Sequence, residues 1–158
     1  MLRISKITDY GIVLLTELAR GAGAGPHNAR ALAETAQLPL PIVSKTLKAL
    51  TRRGLLVSQR GAKGGFSLAR TPERIAVAEV IDALEGPVGL TECSIAAGEC
   101  RRESICGVRE PWQHINDVIV QALRQVTLAD LIAGPRGAMD LEFTARVPSV
   151  TADAGKAH

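Results

Sequence analysis

Apolar positions recur every three or four residues from the start of the chain. Ile4, Ile7, Gly11, Leu14, Leu15 and Leu18 fall along one face of a helix, with Ser5 placed as its N-cap. The glycine-rich GAGAGP, residues 21–26, ends that helix and reads as a loop. ARALAETA, residues 29–36, predicts a short alanine-rich helix, followed by a turn at Gln37–Pro41. A third helix is predicted from about Pro41 to Arg53, with proline tolerated in its first turn and Gly54 suited to end it. The pattern then turns extended. LLVSQR (55–60) and FSLAR (66–70) read as two short strands, and GAKGG (61–65) as the tip of the hairpin joining them.

The second half is again helical. VAEVIDAL, residues 77–84, predicts a helix closed by Glu85, Gly86 and Pro87. After a stretch with little periodicity, Pro111 opens a longer helix. Its Trp112, Ile115, Ile119, Ala122 and Val126 form an apolar stripe, which either packs on the same chain or pairs with a second copy. Thr127 and Asp130 have the spacing of a capping box, so another short helix is expected to begin there. From Gly134 the chain is rich in Gly, Pro, Ala, Ser and Thr and is expected to be disordered. No internal repeat is present.

The order helix, short helix, turn, helix, hairpin is that of a winged helix-turn-helix, and the expected fold class is mainly α. The expected organisation is a DNA-binding domain over residues 1–74. Residues 75–133 would carry a helix, a cysteine loop and a dimerisation helix, and residues 134–158 a tail.

The third helix divides its faces as DNA recognition requires. Val43, Leu47 and Leu50 point to a core, whereas Ser44, Lys45, Lys48 and Arg52 lie on the other side as donors for a major groove. The hairpin tip adds Arg60, Lys63 and Gly64, a small cationic wing where glycine lets backbone approach a phosphate. An amphipathic helix with a solvated basic face, and an ordinary glycine turn, are the plainer alternatives. Charge sharpens the picture. The net +3 splits into +8 over residues 1–74 and −5 over residues 75–158, and no acidic residue occurs from Thr35 to Pro72. Such a block suits a polyanion.

A length of 158 residues suggests one domain or one with an appendage, and 46% apolar residues suffice for a core. Aromatics are only 3%, so that core is mainly Leu, Ile, Val and Ala. No apolar run approaches a membrane span, and the N-terminal residues lack the apolar region of a signal peptide. A cytoplasmic protein with no membrane partner is therefore expected. No Ser/His/Asp arrangement, phosphate loop or paired carboxylates stand in a catalytic context, so neither an enzyme nor a small-molecule substrate is expected.

All three cysteines lie within CSIAAGECRRESIC, residues 93–106. In a reducing compartment, clustered thiols favour metal or redox chemistry over structural disulfides. The spacing Cys-x6-Cys-x5-Cys lacks the tight hooks of structural zinc sites. The wider loops better suit an iron–sulfur cluster, whose usual four ligands leave one to be found, or one iron open. Arg101 and Arg102 would offset the negative charge of a thiolate-ligated cluster. A disulfide switch between Cys100 and Cys106, a zinc site, or no function at all remain open on ligand chemistry alone.

In this order, these features resemble the winged-helix iron–sulfur regulators of the Rrf-two type, typified by IscR and NsrR. The resemblance runs from Met1 to about Ala133. It rests on LRISKITDYG, LKALTRRGLL, the wing RGAKGGFSLAR, the three cysteines after the fourth helix, and VTLADL. It looks closest to the regulators of the SUF iron–sulfur assembly operon. The resemblance implies a homodimeric repressor with one cluster (2Fe-2S or 4Fe-4S) per subunit, binding double-stranded promoter DNA according to cluster state. Cys93, Cys100 and Cys106 match the family's cysteine ligands. In IscR-like members a histidine lies three residues after the last cysteine, but here that position is Arg109. In NsrR-like members an aspartate from the partner's first helix is a ligand, and Asp9 falls on that position. Glu110 and His114 are local alternatives, and Asp9 also suits a plain helix-start carboxylate. A metal-free thiol switch and a nitric-oxide-responsive cluster repressor are the rival functions.

Overall fold

Helix α1 (Lys6–Arg20) begins at the expected cap, where the Ser5 hydroxyl accepts from the Thr8 amide at 3.3 Å. The computed structural model describes residues 3–134 except 24, 97 and 99, so the expected tail beyond Gly134 lies outside the described residues. The face of α1 carrying Thr8, Gly11, Leu14, Leu15 and Leu18 is buried. Gly11 lets the tip of Leu84 pack close to the helix backbone, where a Cβ would make that side chain shift. Ile4, just before α1, and Ile7 continue the stripe in sequence but remain exposed, although Thr8 beside them is fully buried.

Helix α2 (Ala29–Ala36) is capped by Asn28, whose side-chain oxygen accepts from the Ala31 amide at 2.8 Å. It ends at Gln37, which adopts the left-handed conformation (φ 53°). Helix α3 (Leu40–Arg52) follows, one residue earlier at each end than its pattern predicts. Strands β1 (Leu56–Gln59) and β2 (Gly65–Leu68) pair antiparallel, Leu56 opposite Leu68. The loop after α1 contributes a rung that sequence did not show. His27 exchanges two backbone hydrogen bonds with Phe66, at 2.9 and 2.8 Å. Gly65 permits that approach, because a Cβ there would meet the His27 carbonyl.

Helix α4 (Val77–Glu85) leads into the cysteine stretch, which holds a short helix α5 (Glu92–Ile95) and a 3-10 turn (Glu103–Ile105) where none was predicted. Helix α6 (Arg109–Gln125) begins two residues before Pro111. The proline occupies the third helical position, whose amide has no helical acceptor in any case. Helix α7 (Leu128–Ala133) starts at the predicted capping box. Its chain returns beside the residues before α4, with the Leu128 amide donating to the Ile75 carbonyl at 3.0 Å. Leu128 is thereby buried with Leu14, Leu15, Val43, Leu47, Leu50, Ile75 and Val80 in one core.

The Asp130 carboxylate closes the cap of α7, accepting from the Thr127 amide at 2.8 Å and its hydroxyl at 2.7 Å. The Thr127 hydroxyl and then its amide hold the Asp130 carboxyl below the ordinary value of 3.8. Its contribution is therefore present above pH 3.8 and is lost as pH falls through the lowered value. Asp130→Ala is expected to lower stability by about 1 kcal/mol, read as a shift of the urea midpoint at pH 7.

Among the described residues no helix is long and apolar enough to cross a membrane.

Candidate functional site

Two groups of predicted residues come to the surface, one around α3 and the hairpin, the other around the cysteines. Val43, Leu47 and Leu50 anchor α3 with no exposure, as expected, and Thr46 joins them. Lys45, Lys48 and Arg52 are exposed on the opposite side, and Ser44 is half-buried between the faces. Arg60 and Lys63 are exposed at the hairpin tip. Among the described residues none of these five cations has an ion-pair partner. The helix α2, the turn 37–39 and α3 form a helix-turn-helix, and the hairpin forms the wing. Gly64 has a structural reason of its own. Its amide donates to the Gly61 carbonyl at 2.9 Å, and a Cβ would strike the backbone at Gln59 and Arg60.

Exposed, unpaired cations beside glycine-built backbone suit phosphate contacts, which are sequence-independent and salt-dependent. The double variant Arg60→Ala/Lys63→Ala is expected to weaken binding to any duplex. It should also reduce the slope of log affinity against log salt by about 2, measured by anisotropy titrations at several salt concentrations.

The three cysteines are free thiols, each half-buried. Cys93 lies in α5 with its Sγ 3.2 Å from the Thr91 hydroxyl. Cys100 lines a surface cavity of about 440 Å³ with Arg101, Glu103, Ser104 and Arg109. Cys106 follows the 3-10 turn. The donors fit an iron–sulfur cluster in kind, since soft thiolates are its usual ligands. They are one short in number. Among the described residues no three His, Cys, Asp or Glu stand close enough to hold a single metal ion. Asp9 is exposed on the first turn of α1, and Glu110 and His114 are exposed near the start of α6.

Arg109, where the resemblance has a histidine, pairs with Glu103 at 2.6 Å. Glu103 also accepts from the Gly98 amide at 2.6 Å. A second contact was not foreseen either. Asn116, only 6% exposed, accepts from the Leu90 amide at 3.0 Å and donates to the Val88 carbonyl at 3.4 Å. The only trace of it in sequence is an amide between Ile115 and Ile119, which by itself reads as surface. Around these contacts, apolar side chains stay exposed: Ile105 at 74%, Val108 at 56%, Trp112 at 42% and Ile115 at 44%.

Residues 4–134 match the family described as Rrf2, iron-dependent transcriptional regulator. The chain belongs to the Rrf2 family. The HTH-type transcriptional regulator CymR of Bacillus subtilis is 32% identical over 130 residues, covering 82% of this chain and 89% of the relative. The structure of that protein, described as the global cysteine regulator, superimposes with a TM-score of 0.67 over 84% of this chain and 98% of its own. The HTH-type regulator IscR of Escherichia coli is 28% identical over 131 residues, 83% of this chain and 80% of the relative. A solved IscR from T. potens aligns at 30% identity with a TM-score of 0.64, over 84% of this chain and 87% of its own. Like its family, the chain is a DNA-binding transcriptional regulator of winged-helix fold and not an enzyme.

Proposed function

We propose that the protein is a cytoplasmic, homodimeric repressor that senses iron–sulfur status through Cys93, Cys100 and Cys106. It would control promoters of SUF-type cluster-assembly genes. The observation that carries this reading is the placement of all three thiols on one stretch that runs directly into α6, in a chain whose α3 and wing present free cations. A thiolate-ligated cluster would supply a group that forms or is lost with iron and oxidant supply. The protein's own part is to hold three thiolates and to link their order to the pose of α3.

The exposed stripe at Trp112 and Ile115, with Ile4 exposed just before α1 and Ile7 exposed on it, supports a second copy covering this end of the molecule. Two copies present two recognition helices to half-sites about one helical turn apart. In such a dimer Asp9 of the partner is the proposed fourth ligand, with Glu110 and His114 as local alternatives. Asp9→Ala is expected to leave dimerisation and thiol count unchanged, but to make the visible absorption of the anaerobically reconstituted protein bleach several-fold faster in air. Identical bleaching would remove Asp9 from the ligand set.

The reading is tested by gel shift on the upstream region of the protein's own gene, before and after anaerobic reconstitution. A change in affinity of about tenfold or more is expected, the usual scale of coupling between two sites. Equal affinity in both states contradicts a sensor. A second reading is favoured by the likeness to CymR, the global cysteine regulator: a metal-free switch in which Cys100 and Cys106 pair on oxidation. Iron analysis and thiol titration separate the two, and nitric oxide as the signal is judged by its effect on the same gel shift.

A further inference from the structure

We infer that Glu103 and Asn116 are positioning residues that tie the thiol-bearing stretch to α6, so that a change at the cysteines reaches that helix through their polar contacts. The inference rests on the reading of the cysteines as the sensor. Helix α6 holds the stretch at two points. Ahead of the cysteines, both polar ends of the Asn116 amide are committed to backbone at Val88 and Leu90, three residues before Cys93. Asn116 is also the buried residue of α6, whose apolar Ile119, Val120 and Leu123 are only half-buried. Around Cys100 and Cys106, the Glu103 carboxylate bridges the Gly98 amide and Arg109, the first residue of α6. The Glu103 side chain is 15% exposed, so water competes only weakly for it.

Among its described residues, apolar burial does little to fix the stretch. Ile95, Ile105 and Val108 are all exposed, and none of the cysteines belongs to the buried core. A segment with few buried apolar contacts sits at the low end of local stability, where a few polar bonds decide its order. Drawing the thiols together, by ligation or by a disulfide, must move Cys100 or Cys106 relative to Gly98 and Glu103, which lie between and beside them. The strain then falls on the bonds to Arg109 and, at the entry, on Asn116. Both are on the helix whose exposed stripe suits the dimer contact. Arg109 would thus serve as an anchor of the loop in place of a ligand.

Glu103→Gln keeps an acceptor for Gly98 but removes the charge that Arg109 pairs with. Asn116→Asp keeps the acceptor for Leu90 but removes the donor to Val88. In reduced, iron-free protein, hydrogen exchange of the amides of residues 100–106 in Glu103→Gln should be at least about tenfold faster than in wild type. That is the scale of losing one charge-assisted bond. Asn116→Asp should do the same for Leu90. Each variant should also shrink the change in affinity for the gene's upstream DNA on reconstitution by at least about threefold, with iron content retained, whereas the exposed-site control Glu92→Gln should match wild type. Unchanged exchange, or a full response in both variants, overturns the inference. A wild-type protein whose DNA affinity ignores reconstitution instead sinks the sensor reading, while the exchange result still decides whether the two anchors exist.

Discussion

Leu47→Ala is expected to destabilise the protein by about 2–5 kcal/mol, the range for emptying a fully packed leucine site. Leu47 is fully buried in the middle of α3, within the core that also holds Leu14, Leu15, Val43 and Leu50. For a domain whose total stability is about 5–15 kcal/mol, that is a large fraction. The damage extends to function, because Lys45 and Lys48 flank Leu47 on the same helix and their aim depends on its anchoring. DNA affinity should fall even at temperatures where the variant remains folded. Urea unfolding gives the stability change, and anisotropy with a duplex gives the affinity. Leu47→Met is the control, expected to cost less than about 1.5 kcal/mol because it conserves volume. Equal losses in the two variants would mean that packing around α3 is not what holds the helix.

Replacing Cys93, Cys100 or Cys106 by serine should have the opposite profile: little effect on folding and a complete effect on sensing. The thiols are half-buried and lie outside the buried core, so removing one leaves the winged helix intact. In the proposed sensor each would be one of only three thiolate ligands, and a hydroxyl is a poor substitute for a thiolate toward iron. Each single variant is expected to lose most of its iron and sulfide on anaerobic reconstitution and to bind DNA identically before and after. Iron and sulfide assays, circular dichroism and a gel shift read the three parts separately. A serine variant that keeps wild-type iron removes that cysteine from the ligand set. A variant that unfolds would show that the stretch is structural.

Much of the fold was legible because local signals and packing agree. The bounds of α2 follow from ARALAETA, and the start of α7 from Thr127 and Asp130. The faces of α3 follow from the spacing of Val43, Leu47 and Leu50. Where sequence fell short, the deciding contact is long-range. His27 pairs with Phe66 across almost forty residues, and nothing in GAGAGPH marks it as a strand. Proline 111 suggested a helix start, but a proline is tolerated at any of the first positions, so α6 begins at Arg109. Ile4 and Ile7 obey the helical period yet stay exposed, because periodicity reports a face without saying what covers it. For the site, residue types were legible and relations were not. The thiols and basic residues stand out by composition, whereas the Glu103–Arg109 pair and the Asn116 contacts depend on how the stretch folds back on α6.

In the proposed sensor, α6 joins the cationic winged helix to the thiol-bearing stretch. Its coupling can be no larger than the difference in affinity of the two DNA-binding states for whatever the thiols hold. The most direct test is anaerobic purification of the full chain, followed by iron and sulfide analysis with absorption and Mössbauer spectra. Coloured protein carrying iron and sulfide together, with spectra of thiolate-ligated iron that are lost in the cysteine variants, is the expected result. Colourless, iron-free protein that stays so after reconstitution, and binds its upstream DNA equally well throughout, would contradict it.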